Sequence, residues 1–123
     1  MTIAAGTSIT SDHRGDPKRP VWEKTITYAG VTADTGGTIA EPIEGLLQRI
    51  VLVVPDNTGN RTATLTITDR ADNTIFTSAS GLAENATHTW SVSEPLSGPC
   101  DVAVTFSGAL GGTHTTYVYL RGV

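Results

Sequence analysis

The chain has 123 residues, enough for one domain with one hydrophobic core and too few for two. Its formal net charge is -4, and because residues 1–19 hold three bases and two acids, the remainder carries five bases against ten acids. An acidic body of this kind does not condense onto phosphates, and no apolar run approaches the roughly 18 residues of a membrane span, so neither a nucleic acid nor a membrane is expected as a partner.

The first twenty residues, MTIAAGTSITSDHRGDPKRP, show no apolar periodicity and read as an extended N-terminal arm over 1–20, with a β domain over 21–123. MTIAAGTSIT lacks the basic stretch ahead of an apolar one that a secretory signal requires, so display outside a cell would come through lysis or a particle. Arg14-Gly15-Asp16 reads as a polar turn rather than an adhesion motif. From Val21 the period is two: Trp22, Ile26 and Tyr28 share one parity with Lys24 between them, which predicts a strand. AGVTADTGGTIAEP, rich in Gly and Thr, reads as a loop. In GLLQRIVLVVPDN the β-branched run IVLVV, stopped by Pro55, favours a buried strand over roughly 47–54 rather than a helix.

PDNTGN then supplies a turn, since Pro sets φ, Asn and Asp tolerate the left-handed region and Gly enters it freely. RTATLTITD places Thr62, Thr64, Thr66 and Thr68 on one face and Ala63, Leu65 and Ile67 on the other, the alternation of an antiparallel strand with one wet face. DRADN connects it to TIFTSA as a hairpin. His88, Trp90 and Val92 alternate with Thr87, Thr89 and Ser91, and CDVAVTFS turns Val102, Val104 and Phe106 inward. THTTYVYLRGV is the last strand. Seven or eight short strands with Gly, Pro and Asn between them predict an all-β protein, an antiparallel β-sandwich of immunoglobulin-like or jelly-roll-like type.

Two strands depart from the one-sided rule. IVLVV is apolar on both parities, and in YVYL, Tyr117 and Tyr119 oppose Val118 and Leu120. A second apolar face needs a cover, from the loop at 29–45, from the arm or from another subunit. Aromatic residues are favoured in interface cores, so a homo-oligomer, a trimer, is expected with Tyr117 or Tyr119 between subunits.

Signals of chemistry are sparse. His13, His88 and His114 stand alone, with no HxH, HExxH or CxxC spacing, so no metal and no cofactor is expected. Cys100 reads as a small buried residue opening a strand. Oxygen-rich turns at Asp56–Asn60 and Asp69–Asn73 do not have the spacing of an EF-hand loop. No GxSxG, glycine-rich phosphate loop or nucleophile–base spacing occurs, so no catalytic residue is assigned and a non-enzyme is expected. Asn60-Arg61-Thr62 and Asn85-Ala86-Thr87 match the glycosylation acceptor by chance in a Thr-rich chain.

The run VLVVPDNTGNRTATLTITDRADNTIFTSASGLAEN, followed by PLSGPCDVAVTFSGALGGTHTTYVYLRGV, resembles the small β-sandwich virion proteins of tailed bacteriophages, capsid decoration (cement) proteins in particular. The resemblance spans about 45–123 and rests on the LSG break, the valine strand running into FSGALGG, and the terminal aromatic-aliphatic strand. It implies a protein on the capsid surface of a virion that binds the major capsid protein or another virion protein and stabilises the shell. It also gives the arm a purpose, since such proteins send an N-terminal segment across neighbouring capsomers. The arm is anchored at Pro17 and Pro20, with Ile3 and Ile9 as apolar pegs and Arg14 and Arg19 as polar contacts. A tail, neck or fibre component is the nearest alternative. A carbohydrate-binding β-sandwich module, with Trp22, Trp90, Tyr117 and Tyr119 as a stacking platform, is the other.

Overall fold

The computed structural model describes Gly6–Asp12 and residues 21–123, and the described residues form nine strands and no helix. The strands are β1 Gly6–Asp12, β2 Trp22–Gly30, β3 Gly36–Pro42, β4 Gly45–Val54, β5 Ala63–Thr68, β6 Thr74–Thr77, β7 Ala86–Leu96, β8 Pro99–Phe106 and β9 His114–Gly122. They make two antiparallel sheets, one of five strands in the order β1-β2-β9-β4-β7 and one of four in the order β3-β8-β5-β6. The predicted β-sandwich is therefore the observed architecture.

Alternation produces this fold strand by strand. In β5, Ala63, Leu65 and Ile67 are buried while Thr64, Thr66 and Thr68 are partly exposed; in β8, Val102, Val104 and Phe106 are buried. The register sets Leu65 opposite Val104 and Ile67 opposite Val102. Against this layer the five-stranded sheet turns Ile26 and Tyr28 of β2, Ile50, Leu52 and Val54 of β4, and Val118 and Leu120 of β9. β-branched and aromatic residues suit these half-buried pleats, and burying their apolar surface drives the two sheets together.

One expectation is corrected. AGVTADTGGTIAEP is not a loop: β2 continues to Gly30, and β3 occupies Gly36–Pro42, paired with β8. The alternation is hidden because β3 presents Gly37, Ile39 and Glu41 on its more buried parity, a single apolar side chain among the three. β3 belongs to the four-stranded sheet, so this segment does not cover the outer face of the other sheet. The strand count rises for the same reason, and because Gly6–Asp12, within the segment read as an arm, forms β1 against β2.

Polar side chains clamp the sheets together. Tyr28 on β2 donates its hydroxyl to the Val102 carbonyl on β8. Lys24 on β2 faces inward and pairs with the buried Glu41 of β3, Nζ to Oε1 3.1 Å, while also donating to the Pro42 carbonyl. Trp22 packs in the core with Nε1 donating to the Val123 carbonyl at 3.3 Å. Gly122 lies against it because a Cβ there would sit 2.0 Å from the Leu46 carbonyl oxygen and 2.6 Å from the Trp22 ring.

At one end of the sandwich three connections lock together. Gly59 N–H donates to the Leu110 carbonyl, Leu110 N–H to the Asp34 carbonyl and Gly111 N–H to the Thr32 carbonyl. The buried Asn57 organises the β4–β5 turn: its amide donates to the carbonyls of Pro55 and Arg61, its carbonyl accepts from Arg61 N–H at 2.7 Å, and its own N–H donates to Glu84.

Candidate functional site

The outward surface of the five-stranded sheet is where the two-sided strands meet. β9 places Thr116, Val118 and Leu120 inside and Tyr117 and Tyr119 outside. The two tyrosines are two residues apart on one strand face, and their rings stack with centroids 6.2 Å apart and planes 19° from parallel. β4 runs beside β9 with Val51 opposite Tyr119 and Val53 opposite Tyr117. β2 lies on the other side with Thr25 opposite Tyr119 and Thr27 opposite Tyr117, and β7 extends the rows with Thr89 and Thr87. The result is two rows across the sheet, Thr25-Tyr119-Val51-Thr89 and Thr27-Tyr117-Val53-Thr87.

Tyr117 is 36% exposed, and Tyr119, Val51 and Val53 are half-buried. The next row carries the charge that borders this strip. Glu23, Arg121 and Arg49 stand in register, and Arg121 Nε donates to Glu23 Oε2 at 2.8 Å. An aromatic-aliphatic centre flanked by hydroxyls and closed at one end by ions has the make-up of a binding surface, with an apolar middle and a polar rim.

Among the sequence-predicted site residues, the structure brings Tyr117 and Tyr119 together at this centre. Ile9 occupies the β1 register position opposite Thr25, on the same row as Tyr119. Ile3, Arg14 and Arg19 lie outside the described residues, as does the Arg14-Gly15-Asp16 tripeptide. The two tryptophans do not join the tyrosines. Trp22 is a core residue, and Trp90 sits on the inward parity of β7, edge-on to Phe76 of β6 at 5.1 Å. A four-membered aromatic platform is therefore not formed. Val51 and Val53 stand out in sequence as excess apolar character, but their place beside the tyrosines is a matter of strand register.

The remaining candidates resolve into structural roles. Asp69 caps its own turn, its carboxylate accepting from the N–H groups of Ala71 and Asn73 at 2.9 Å, and the Asn73 bond leads in holding its carboxyl below the usual range. No group of three or more potential metal ligands occurs among the described residues. Cys100 is buried opposite Glu41, and burial first, with the charges of Asp69 and Asp101 behind it, pushes its thiol up and away from reactive thiolate. His114 Nε2 accepts the Thr58 N–H at 3.0 Å, tying the start of β9 to the β4–β5 turn. His88 contacts the Ala83 carbonyl.

No protein-family model and no curated protein matches this chain. Solved structures do share its shape. A protein of the Bacillus endospore appendages, a family of disulfide-linked pili, is 14% identical with a TM-score of 0.52, over 98% of this chain and 92% of that one. The carbohydrate-binding module TmCBM61, solved with β-1,4-galactotriose, is 8% identical with a TM-score of 0.47, over 98% and 90%. A chain of infectious bursal disease virus strain Gx is 12% identical with a TM-score of 0.39, over 96% of this chain and 32% of that one. At 14% identity the likeness to the appendage protein supports the β-sandwich fold and nothing finer.

Proposed function

We propose that this chain is a non-catalytic assembly protein of a virion, of the capsid-decoration type, whose outer five-stranded face docks on the major capsid protein or another virion protein. The observation that carries the reading is the Tyr117–Tyr119 stack flanked by Val51 and Val53, an aromatic-aliphatic strip on the outside of a sheet whose inside already serves the core. The segment that the sequence offered as a loop cover instead forms β3, Gly36–Pro42, in the other sheet. A subunit of a surface appendage shares the sandwich, which agrees with an assembly role. Here Cys100 is buried, so association of the folded chain would rest on surface contacts rather than a disulfide. Binding the assembled shell but not its loose subunits would stabilise the particle by mass action.

A second reading follows from the near-parallel tyrosine rings, which could stack on sugar rings. Two measurements separate them. Decoration predicts co-sedimentation of the protein with assembled shells at fixed stoichiometry, abolished or strongly weakened by Tyr119→Ser while the fold survives. Sugar binding predicts quenching of tyrosine fluorescence by soluble oligosaccharides without shells. Failure to bind shells, or undiminished binding by Tyr119→Ser, defeats the decoration reading at this face.

A further inference from the structure

β7 ends the five-stranded sheet, and among the described residues it pairs with β4 alone. It is eleven residues long. Edge strands usually carry a charge, a proline or a bulge that prevents another chain from adding to them. In β7 all of these lie toward one end: two residues, Val92 and Ser93, stand against the single Gln48 of β4 where the register shifts, and Glu94 and Pro95 follow. Ala86–Ser91 has none of them. It reads ATHTWS, without Asp, Glu, Lys, Arg or Pro, and its register with β4 is unbroken from Val54 opposite Ala86 to Arg49 opposite Ser91.

The same stretch is self-complementary. An antiparallel copy laid against it with Thr89 opposite Thr89 sets Thr87 against Ser91 on the outer face and His88 against Trp90 on the inner one. Hydroxyl pairs and aromatic pairs are both favourable at directly opposed positions. Within one chain the His88 and Trp90 rings already stack, at 6.3 Å and 22°. A twofold axis through Thr89 makes the pairing antiparallel, the more stable geometry, and it closes after two copies. It also keeps both outer faces on one side, giving a sheet of ten strands, five from each copy. The opposite edge is a poorer partner for β7. β1 and β7 run in the same direction, so stacking copies along the sheet would pair them parallel and leave an open chain.

We infer that Ala86–Ser91 is a homodimerisation edge, taking a second copy of this chain by antiparallel main-chain pairing about Thr89. The trimer expected from sequence gives way in this inference to a twofold pair, whose pairing edge adjoins the tyrosine face at Thr87 and Thr89 but does not include the tyrosines.

Sedimentation equilibrium of the full chain tests this, with circular dichroism and melting as controls that each variant is folded. The wild type is expected to be a dimer. Thr89 is exposed, so Thr89→Lys and Thr89→Glu should fold, yet each sets like charges opposite one another and should weaken association by at least about tenfold. An equimolar mixture of the two should dimerise again, because position 89 faces itself only in this register. Ser93→Lys, beyond the paired stretch, and Tyr119→Ser should dimerise like the wild type. The second of these separates a failure of this inference from a failure of the docking reading. A wild type that stays monomeric at high micromolar concentration overturns the inference. So do a trimer, chains that lengthen with concentration, a Thr89→Lys protein that still dimerises, and a mixture that does not recover.

Discussion

In the four-stranded sheet, β5 and β8 follow the alternation rule without exception. Leu65, Ile67, Val102 and Val104 are fully buried, and the opposite parity is Thr64, Thr66, Thr68, Asp101, Ala103 and Thr105. The five-stranded sheet departs from the rule on both of its faces. Inside, β2 carries Lys24 and the hydroxyl of Tyr28, and β9 carries Thr116; outside, β9 carries Tyr117 and Tyr119 beside Val51 and Val53. β5 and β8 thus behave as a plain support, with β3 adding only Glu41, the partner of Lys24, while the five-stranded sheet carries polar groups inside and an apolar strip outside. Departures of this kind cost stability unless they are partnered, and the outward tyrosine strip is the one on which the proposed docking face rests.

Leu65→Asp or Val104→Asp would bury an unpaired charge between the sheets, at a cost of roughly 4 kcal/mol or more against a typical total of about 5–15. Each is expected to abolish cooperative melting. Thr64→Asp and Thr66→Asp, on the other parity, should stay within about 0.5 kcal/mol of the parent. If the two sets behave alike in thermal denaturation, the register assigned to β5 is wrong.

Lys24→Met comes next. It leaves Glu41 buried without its ammonium partner, and a loss of about 3 kcal/mol is expected by chemical denaturation. Replacing both, Lys24→Met with Glu41→Leu, should recover most of that loss. A single variant as stable as the parent would mean that the inward pair is not formed.

Tyr28 makes the five-stranded sheet sensitive to alkali. Burial pushes its phenol well above the ordinary tyrosine value, so the folded state keeps it neutral where the unfolded chain ionises. Stability from this group is complete below the unfolded pKa near 10 and is lost as the pH rises toward the folded value, about 1.4 kcal/mol by about pH 11. Tm measured from about pH 8 to about pH 11 should fall more steeply for the parent than for Tyr28→Phe.

The smallest effect has the opposite sign. Among the described residues the buried Thr116 hydroxyl has no hydrogen-bond partner, so Thr116→Val removes an unmet polar group at nearly constant shape. It should raise stability by about 1 kcal/mol. Destabilisation in the same denaturation assay would show that the hydroxyl has a partner after all.

The alternating strands are legible in sequence because burial on one face writes itself as a period of two: TATLTIT and DVAVTF could scarcely fold otherwise. The excess apolar character of IVLVV and YVYL is legible for the same reason, and it singles out Tyr117 and Tyr119 as side chains in need of a cover. Three things depend on the tertiary fold. β3 cannot be recognised locally because its inward residues include Glu41, whose place inside makes sense only once Lys24 arrives from a strand of the other sheet. Val51 and Val53 become neighbours of the tyrosines only through the β4–β9 register, a pairing between residues more than sixty positions apart. Trp90, which composition alone would group with the tyrosines, points the other way and packs against Phe76. Local sequence specifies which face of a strand is buried, because parity is a property of the strand itself. Which strands lie side by side, and therefore which side chains share a surface, is specified by long-range pairing that no local window contains.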